Sequence, residues 1–297
     1  MNITKSNKND PAYEAMFDAL IQEVFGFSFQ PWLEYELWDE NYESYSIIEN
    51  GRMLSNVCIF KSELLVRGEA VSAMQIGAVA TTKSARGKGL SRLLMEHILQ
   101  LYPNRLAYLS ANPSVIDFYP KFGFRQVQTY TPTLRHCEER SNPECKSWIA
   151  SQARNDRAVA CKLDIDDAII PQALQTRNTF SNLVDCKNAA SIQMFHLIMQ
   201  HHDNIYHLPH ANALVVARQT NNKLYIADVI SQNKLTLSDI LPHLPFTDIE
   251  TIQFGFCPDH LSVTPTWTPT NKTNDPFFIR GNWNLPEHFR FPATSET

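Results

Sequence analysis

Arg86, Gly87, Lys88 and Gly89 follow one another inside "TTKSARGKGLSRLLM", residues 81–95, between a β-branched run and an apolar helical pattern. Glycines at such a junction let backbone N–H groups approach an anion. The next helix contributes its N-terminal dipole, and the two cations add charge. The chemistry on offer is capture of a phosphate. Two familiar phosphate loops are excluded: Gly89 rather than Ser or Thr follows Lys88, and the GxGxxG spacing is missing. Taken alone, the turn is equally a helix cap carrying solvated basic side chains. A second group lies in "SANPSVIDFYPKFGF", residues 110–124. Asn112 before Pro113 suits a helix N-cap as well as a ligand contact. Tyr119 is either a core aromatic beside Phe118 or a proton donor, since a phenol with a pKa of about 10 holds its proton at neutral pH.

These residues need a scaffold. Residues 11–25 place apolar groups at helical spacing after a proline suited to the first turn. "YSIIE", "RMLSNVCIFKSELLV" and "AVSAMQIGAVAT" read as strands, the first two joined by an Asn50-Gly51 hairpin. After the glycine turn, Leu90, Leu94, Ile98 and Leu101 share a helix face. "RLAYLSAN" is a further strand, "PSVIDFYPKF" a short helix and "FRQVQTY" another strand. The order gives an α/β (α+β) fold, a mixed sheet flanked by helices. From about Ala158 onward, strand, strand, helix, strand recurs ("ALVVARQ", "KLYIADVI", "TLSDILPHL", "ETIQFGFCP"), a repeat of topology rather than of residues.

In that setting "ARGKGLS" resembles the Q/R-x-x-G-x-G/A loop of the GNAT superfamily of N-acetyltransferases, with Ser91 where the family prefers Gly or Ala. "MQIGAVAT" resembles the family's fourth strand, and "SANPSVIDFYPKFGF" its second signature. The resemblance runs to about residue 130 and implies an acyl-CoA N-acyltransferase fold with acetyl-CoA as co-substrate. By it, Ala78, Val79 and Ala80 present strand backbone to the pantetheine arm. Arg86, Gly87, Lys88, Gly89, Leu90 and Ser91 cradle the pyrophosphate, and Asn112 bonds the pantetheine. Tyr119 protonates the departing thiolate, and a backbone N–H near Val79 stabilises the oxyanion while an amine attacks the thioester directly. The second half resembles the degenerate GNAT-like half of some two-domain bacterial members, without an RxxGxG turn. The implied function is acetyl transfer to a primary amine of an unidentified acceptor. The alternative is a catalytically weak acetyl-CoA-binding sensor or interaction module.

The expected domains are 1–134 (catalytic), 135–157 (an exposed inserted linker) and 158–297 (degenerate, covering the open sheet edge and shaping the acceptor side). "RHCEERSNPECKSWIASQARND", residues 135–156, resembles peptides translated from interspersed palindromic repeats inserted in frame into bacterial genes, and its removal is expected to leave folding intact. With a net charge of −5 the 297-residue chain offers no general nucleic-acid surface. No apolar run approaches the ~18 residues of a membrane span, and the polar start has no secretory h-region. Six cysteines without a CxxC pair read as reduced thiols, Cys58 among them as packing, in a cytoplasmic protein. No metal is expected; His201, His202, His207 and His210 read as surface histidines at a helix end. On the acceptor side, Trp32, Tyr35, Trp38 and Tyr42 are candidates for a pocket wall, Trp32 and Trp38 leaning towards core. Glu36, Asp39, Glu40 and Glu43 either attract a cation or form a solvated face. No general base and no oligomeric state can be read.

Overall fold

The computed structural model describes residues 2–6, 10–35, 38–135 and 160–296. Strand β1 (Ile3–Lys5) precedes helix α1 (Pro11–Phe25). Asp10 caps α1 by accepting from the Ala12 and Tyr13 amides at 3.1 Å, and Gly26 closes it in the left-handed conformation. After α2 (Gln30–Leu33) come β2 (Tyr42–Glu49), β3 (Arg52–Val66) and β4 (Glu69–Thr81). Asn50 and Gly51 both have positive φ, 51° and 73°, as a two-residue type I′ hairpin requires. Helix α3 (Leu90–Leu101), β5 (Leu106–Ser110), β6 (Arg125–Val127) and β7 (Tyr130–Arg135) complete the first half. The expected helix at "PSVIDFYPKF" is two 3₁₀ turns, Pro113–Val115 and Tyr119–Phe122, because each opens on or next to a proline and is too short to gain an α-helical ladder.

The second half contains β8 (Cys161–Lys162), α4 (Ile169–Thr176), β9 (Val184–Lys187), α5 (Ala190–His196), β10 (Ile205–Leu208), β11 (Ala213–Thr220), β12 (Lys223–Ser231), α6 (Leu237–Ile240), β13 (Thr251–Phe254), β14 (Thr266–Pro269) and β15 (Phe277–Arg280). Helix α5 continues as a π-helical turn over Leu197–His201. Thr236 and Asp239 form a reciprocal capping box at the start of α6.

The strands form two mixed sheets, ordered β1-β2-β3-β4-β5-β15-β6 (with β9 paired to β3) and β14-β7-β13-β12-β11-β10-β8. Each holds one parallel pair, β4–β5 in the first and β12–β13 in the second, so the repeat seen in the element order is a repeat of sheet plan. Sheet membership does not follow the chain boundaries at 134 and 158. Strand β15, from the end of the chain, lies between β5 and β6, and β7, from the first half, lies between β13 and β14. Each half thus gives the other's sheet an interior strand at the same sheet position, and the second half also adds β9 beside β3. One hydrophobic cluster likewise joins them, packing Trp32, Phe29 and Tyr108 with Val184, Phe195 and Phe291. On the other face of the first sheet, Leu90, Leu94, Met95 and Ile98 seat α3 against Ile59, Met74 and Leu109. Residues 136–156, the expected insertion, lie outside the described residues.

Candidate active site

Strands β4 and β5 are paired only at Ala73–Leu106, Met74–Ala107 and Gln75–Tyr108. Beyond Gln75 the edge of β4 facing β5 has no strand partner among the described residues. A β-bulge sits at this point: Cys58 opposes Gly77 and Asn56 opposes Ala80, so Ala78 and Val79 together face Val57. Ala78 takes φ 46°, a left-handed conformation that costs a non-glycine residue about 1–2 kcal/mol. Two buried side chains of β3 hold it there. Asn56 Nδ2 donates to the Ala78 carbonyl at 3.2 Å, and Ser55 Oγ donates to the Ala80 carbonyl at 2.9 Å.

The divergence opens a cavity of about 840 Å³. The β4 wall runs from Gln75 to Val79 with Thr81, and Arg86 lies at its end. Ser110, Asn112, Ser114, Val115 and Tyr119 form the β5 side. Tyr42, Cys58 and Phe60 line it from β2 and β3. Phe25, Phe27 and Phe29 approach from the end of α1 and the turn before α2, and α5 with its π-helical extension adds Ile192, Phe195, His196, Met199 and Gln200. Glu296 comes from the last turn of the described chain.

Of the residues singled out in the sequence, Ala78, Val79, Arg86, Asn112 and Tyr119 line this cavity. Ala80 does not; it faces the core at 1% exposure. Gly87, Lys88 and Gly89 are exposed, and both glycines have positive φ, 79° and 76°. Gly89 is the N-cap of α3 and offers no side-chain bond to that helix's first amides, which leaves them directed at whatever lies beyond the helix end. Leu90 is buried in the core beneath α3. Ser91 Oγ is hydrogen-bonded to Thr81 Oγ1 at 2.6 Å, tying the start of α3 to the end of β4. Asn112 does cap: its Oδ1 accepts from the Ser114 amide at 2.9 Å and the Ser114 hydroxyl at 2.7 Å. Tyr119 is 5% exposed and packs edge-on to Phe118 and Phe124, with Phe278 of the exchanged strand 5.7 Å away. Burial pushes its hydroxyl up to about 12, so it holds its proton at neutral pH.

The aromatic segment divides. Trp32 and Trp38 are core: their indole N–H groups donate to the Ser191 and Tyr42 carbonyls, and neither ring reaches the cavity. Tyr35 bonds Asp166, away from the cavity. Tyr42 lines the cavity, with its hydroxyl on the Cys58 thiol. Cys58 is buried, as packing requires, and its Sγ also accepts from Asn56 Nδ2. Of the acids that could have attracted a cation or formed a solvated face, Asp39, Glu40 and Glu43 do not line the cavity. Glu36 lies outside the described residues, Asp39 accepts from the Asn41 and Tyr42 amides, and Glu43 is locked between Lys5, Lys61, Tyr45 and Tyr102.

The carboxylate that does line the cavity is Glu296, which the sequence reading missed because no local pattern ties it to residues far upstream. Its side chain accepts from Ser110 Oγ and lies 3.9 Å from Arg290 Nη2. Burial pushes its carboxyl above the usual range, and Arg290 opposes the rise. His196 was missed for the same reason. It is 2% exposed, and burial, with His201 beside it, lowers its pKa to about 3, the Gln200 side chain opposing the fall.

The histidine run is only partly superficial. His202 is exposed beside Asp203, but His201 is buried at the end of the π-helical turn, and His210 lies against His243. Among the described residues, no group of three or more His, Cys, Asp or Glu side chains is placed to hold a metal ion. Nor is any described helix long and apolar enough to cross a membrane.

A bulged strand diverging from its parallel neighbour, with a glycine turn at its end, leaves an unpaired strand edge and free helix amides beside one cavity. Residues 9–127, somewhat under half of the chain, match the family model for the acetyltransferase (GNAT) domain. No curated protein matches the chain. Among solved structures, it resembles a conserved protein of unknown function from Enterococcus faecalis V583, described as a probable N-acyltransferase, at 15% identity and TM-score 0.58 over 94% of this chain and 71% of that one. It also resembles Eis1 from Mycobacterium abscessus (12%, TM-score 0.56, 94% and 73%) and a GCN5-related N-acetyltransferase from Kribbella flavida (11%, TM-score 0.52, 94% and 72%). At these identities the likeness is one of fold.

Proposed function

We propose that the protein is a cytoplasmic bacterial N-acetyltransferase that moves the acetyl group of acetyl-CoA directly onto a primary amine. The observation that carries this reading is the convergence of Val79, Asn112, Arg86 and Tyr119 on one cavity at the point where β4 and β5 part.

The residues present fit the donor. The unpaired edge of β4 beyond Gln75 can pair with the amides of a pantetheine arm as an added strand would. Asn112 keeps its side-chain N–H groups for the same arm. The exposed turn at 86–91 supplies amides and two cations for the pyrophosphate. The bulge turns the backbone at Val79 into the cavity wall, where its N–H would meet the oxyanion formed when a neutral amine attacks the thioester carbonyl. The carbon–sulfur bond then breaks, and Tyr119 donates its proton to the departing thiolate. The second half works as part of the acceptor wall and carries no second donor site.

The reading is tested by thiol release from acetyl-CoA with a panel of primary amines, together with acetyl-CoA titration by calorimetry. Amine-dependent release is expected. Tight binding without turnover for any amine would favour the alternative of an acetyl-CoA-binding sensor.

A further inference from the structure

The acceptor side of the cavity has an unusual balance of charge and apolar surface. Phe27, Phe29 and Phe195 stack in series, with ring centroids 5.5 Å apart between Phe27 and Phe29 and 4.8 Å apart between Phe29 and Phe195. Ile192 and Met199 extend this wall along the helix. Against it stands, among the described residues, a single lining carboxylate, Glu296. The tail that delivers it is fixed at successive residues: the Ala293 amide donates to the Gly255 carbonyl at 2.8 Å, Thr294 Oγ1 to Asp228 at 2.5 Å, and Gln193 Nε2 to Ser295 Oγ at 3.1 Å.

We infer that the acceptor is a monoamine with an aromatic body, and that Glu296 receives its ammonium group and takes its proton. The inference rests on the acetyl-transfer reading above. A polyamine or an aminoglycoside carries several ammonium groups, and each one buried without a carboxylate would be heavily penalised. Here one ammonium meets one lining carboxylate, which already shares Arg290 at 3.9 Å and so has no charge to spare for a second ammonium. The ring is seated against other rings, where aromatic pairing adds to apolar burial. The buried, neutral His196 lies on the same wall beside Gln200. Its ring offers one donor and one acceptor nitrogen, suited to a neutral donor or acceptor on the ligand, such as an indole N–H or a phenol.

The protons balance as follows. The Glu296 carboxylate takes one proton from R–NH3⁺ and later returns it to solvent. The resulting R–NH2 attacks the thioester carbon, forming the C–N bond, and the C–S bond breaks with Tyr119 protonating the sulfur. The nitrogen sheds its second proton, which restores the Tyr119 hydroxyl. The products are the amide and the thiol.

The test is thiol release by the full chain from acetyl-CoA with tryptamine, tyramine, spermidine and kanamycin as acceptors. Tryptamine and tyramine should exceed the other two in kcat/KM by at least 100-fold. Glu296→Gln keeps the shape and an acceptor for Ser110, and should lower kcat/KM for tryptamine about 100-fold, leaving acetyl-CoA affinity unchanged. It should also remove the inflection that Glu296 gives the pH profile, leaving a rate that rises with pH only as the free-amine fraction rises. The charged and titratable groups facing Glu296 are Arg290, Asp275, Tyr108 and Tyr225, all retained in that variant. Met199→Lys, at a partly exposed position, should raise KM for tryptamine and not for acetyl-CoA. Higher kcat/KM for spermidine or kanamycin would overturn this inference and leave acetyl transfer standing, as would a Gln variant with the wild-type rate and pH profile. Absence of thiol release with every amine would overturn both.

Discussion

Tyr119→Phe removes a hydroxyl and little else. The ring lies among Phe118, Phe124 and Phe278, and no described residue hydrogen-bonds the hydroxyl, so packing survives and folding should be nearly unchanged. The effect on rate can be bounded. With the phenol near 12 and a thiol near 8.5 by analogy with cysteine, complete proton transfer to the thiolate is uphill by about 5 kcal/mol. The gain in rate therefore comes chiefly from the hydrogen bond that Tyr119 makes to sulfur as charge develops, and transfer of its proton is completed as the second proton of the nitrogen restores the hydroxyl. Hydrogen bonds to charged groups contribute ~1.5–3 kcal/mol, about 10- to 150-fold in rate. We expect kcat to fall about 100-fold, with the acetyl-CoA Kd unchanged and Tm within about 2 °C, measured by steady-state thiol release, calorimetry and thermal melting. A kcat within threefold of wild type in a folded Phe variant would refute the assignment and make Tyr119 a core residue only.

Gly89→Val should weaken acetyl-CoA binding far more than Lys88→Ala, whose loss should stay within about 1–2 kcal/mol; calorimetric Kd values that shift equally would contradict a backbone-cradled pyrophosphate. The structure places the difficulty in the φ of 76° rather than in crowding, since a Cβ at Gly89 meets nothing within 4 Å. Burial pushes the Glu43 carboxyl up, but its bonds from Tyr45, Lys5, Tyr102 and Lys61 outweigh this and hold it at about 2. Because that folded value is depressed, its stabilisation, at most ~3 kcal/mol, is complete above the unfolded value near 4.5 and lost as pH falls towards 2. Glu43→Gln should accordingly lower Tm at pH 7, with the gap to wild type closing by about pH 2. Residues 1–135 and 160–297 expressed apart should fail to fold, whereas co-expression should yield a complex on size exclusion, because each sheet lacks an interior strand without the other half.

The first-half scaffold was legible because its signals are local. The Asn50-Gly51 hairpin, the apolar face of α3 and the glycine turn each lie within a few residues, and the order of elements implies a mixed sheet. Five candidate site residues reach the cavity for the same reason: they sit on the two strand ends and adjoining turns that define it. Of the acceptor side, only the candidate Tyr42 reaches the cavity. Glu296 and His196 arrive from a different half of the chain, and Glu43 reads from sequence as a free acid although Lys5 and Lys61 neutralise it. The strand exchange is likewise invisible to periodicity. Pattern specifies which face a strand buries but not which sheet receives it.

That exchange changes what residues 136–156 must do. Had β7 closed the first sheet, their excision would merely have shortened a loop, at little entropic cost. Instead β7 and β8 belong to one sheet and stand five strand spacings apart in it, which at ~4.8 Å each is about 24 Å. Ala160, just before β8, is anchored by its amide to the His243 carbonyl at 2.9 Å. Excision of 136–156 would leave three residues to join Arg135 to Ala160, a reach of at most about 14 Å. The expectation that the whole segment is dispensable therefore conflicts with the sheet order. Removing 136–146 leaves ample reach and should preserve Tm and acetyl-CoA affinity; removing 136–156 should pull β7 or β8 from the second sheet and lower Tm by several degrees. Equal stability of the two deletions would mean that β7 can return to the first sheet, next to β6, with the chain forgoing the exchange.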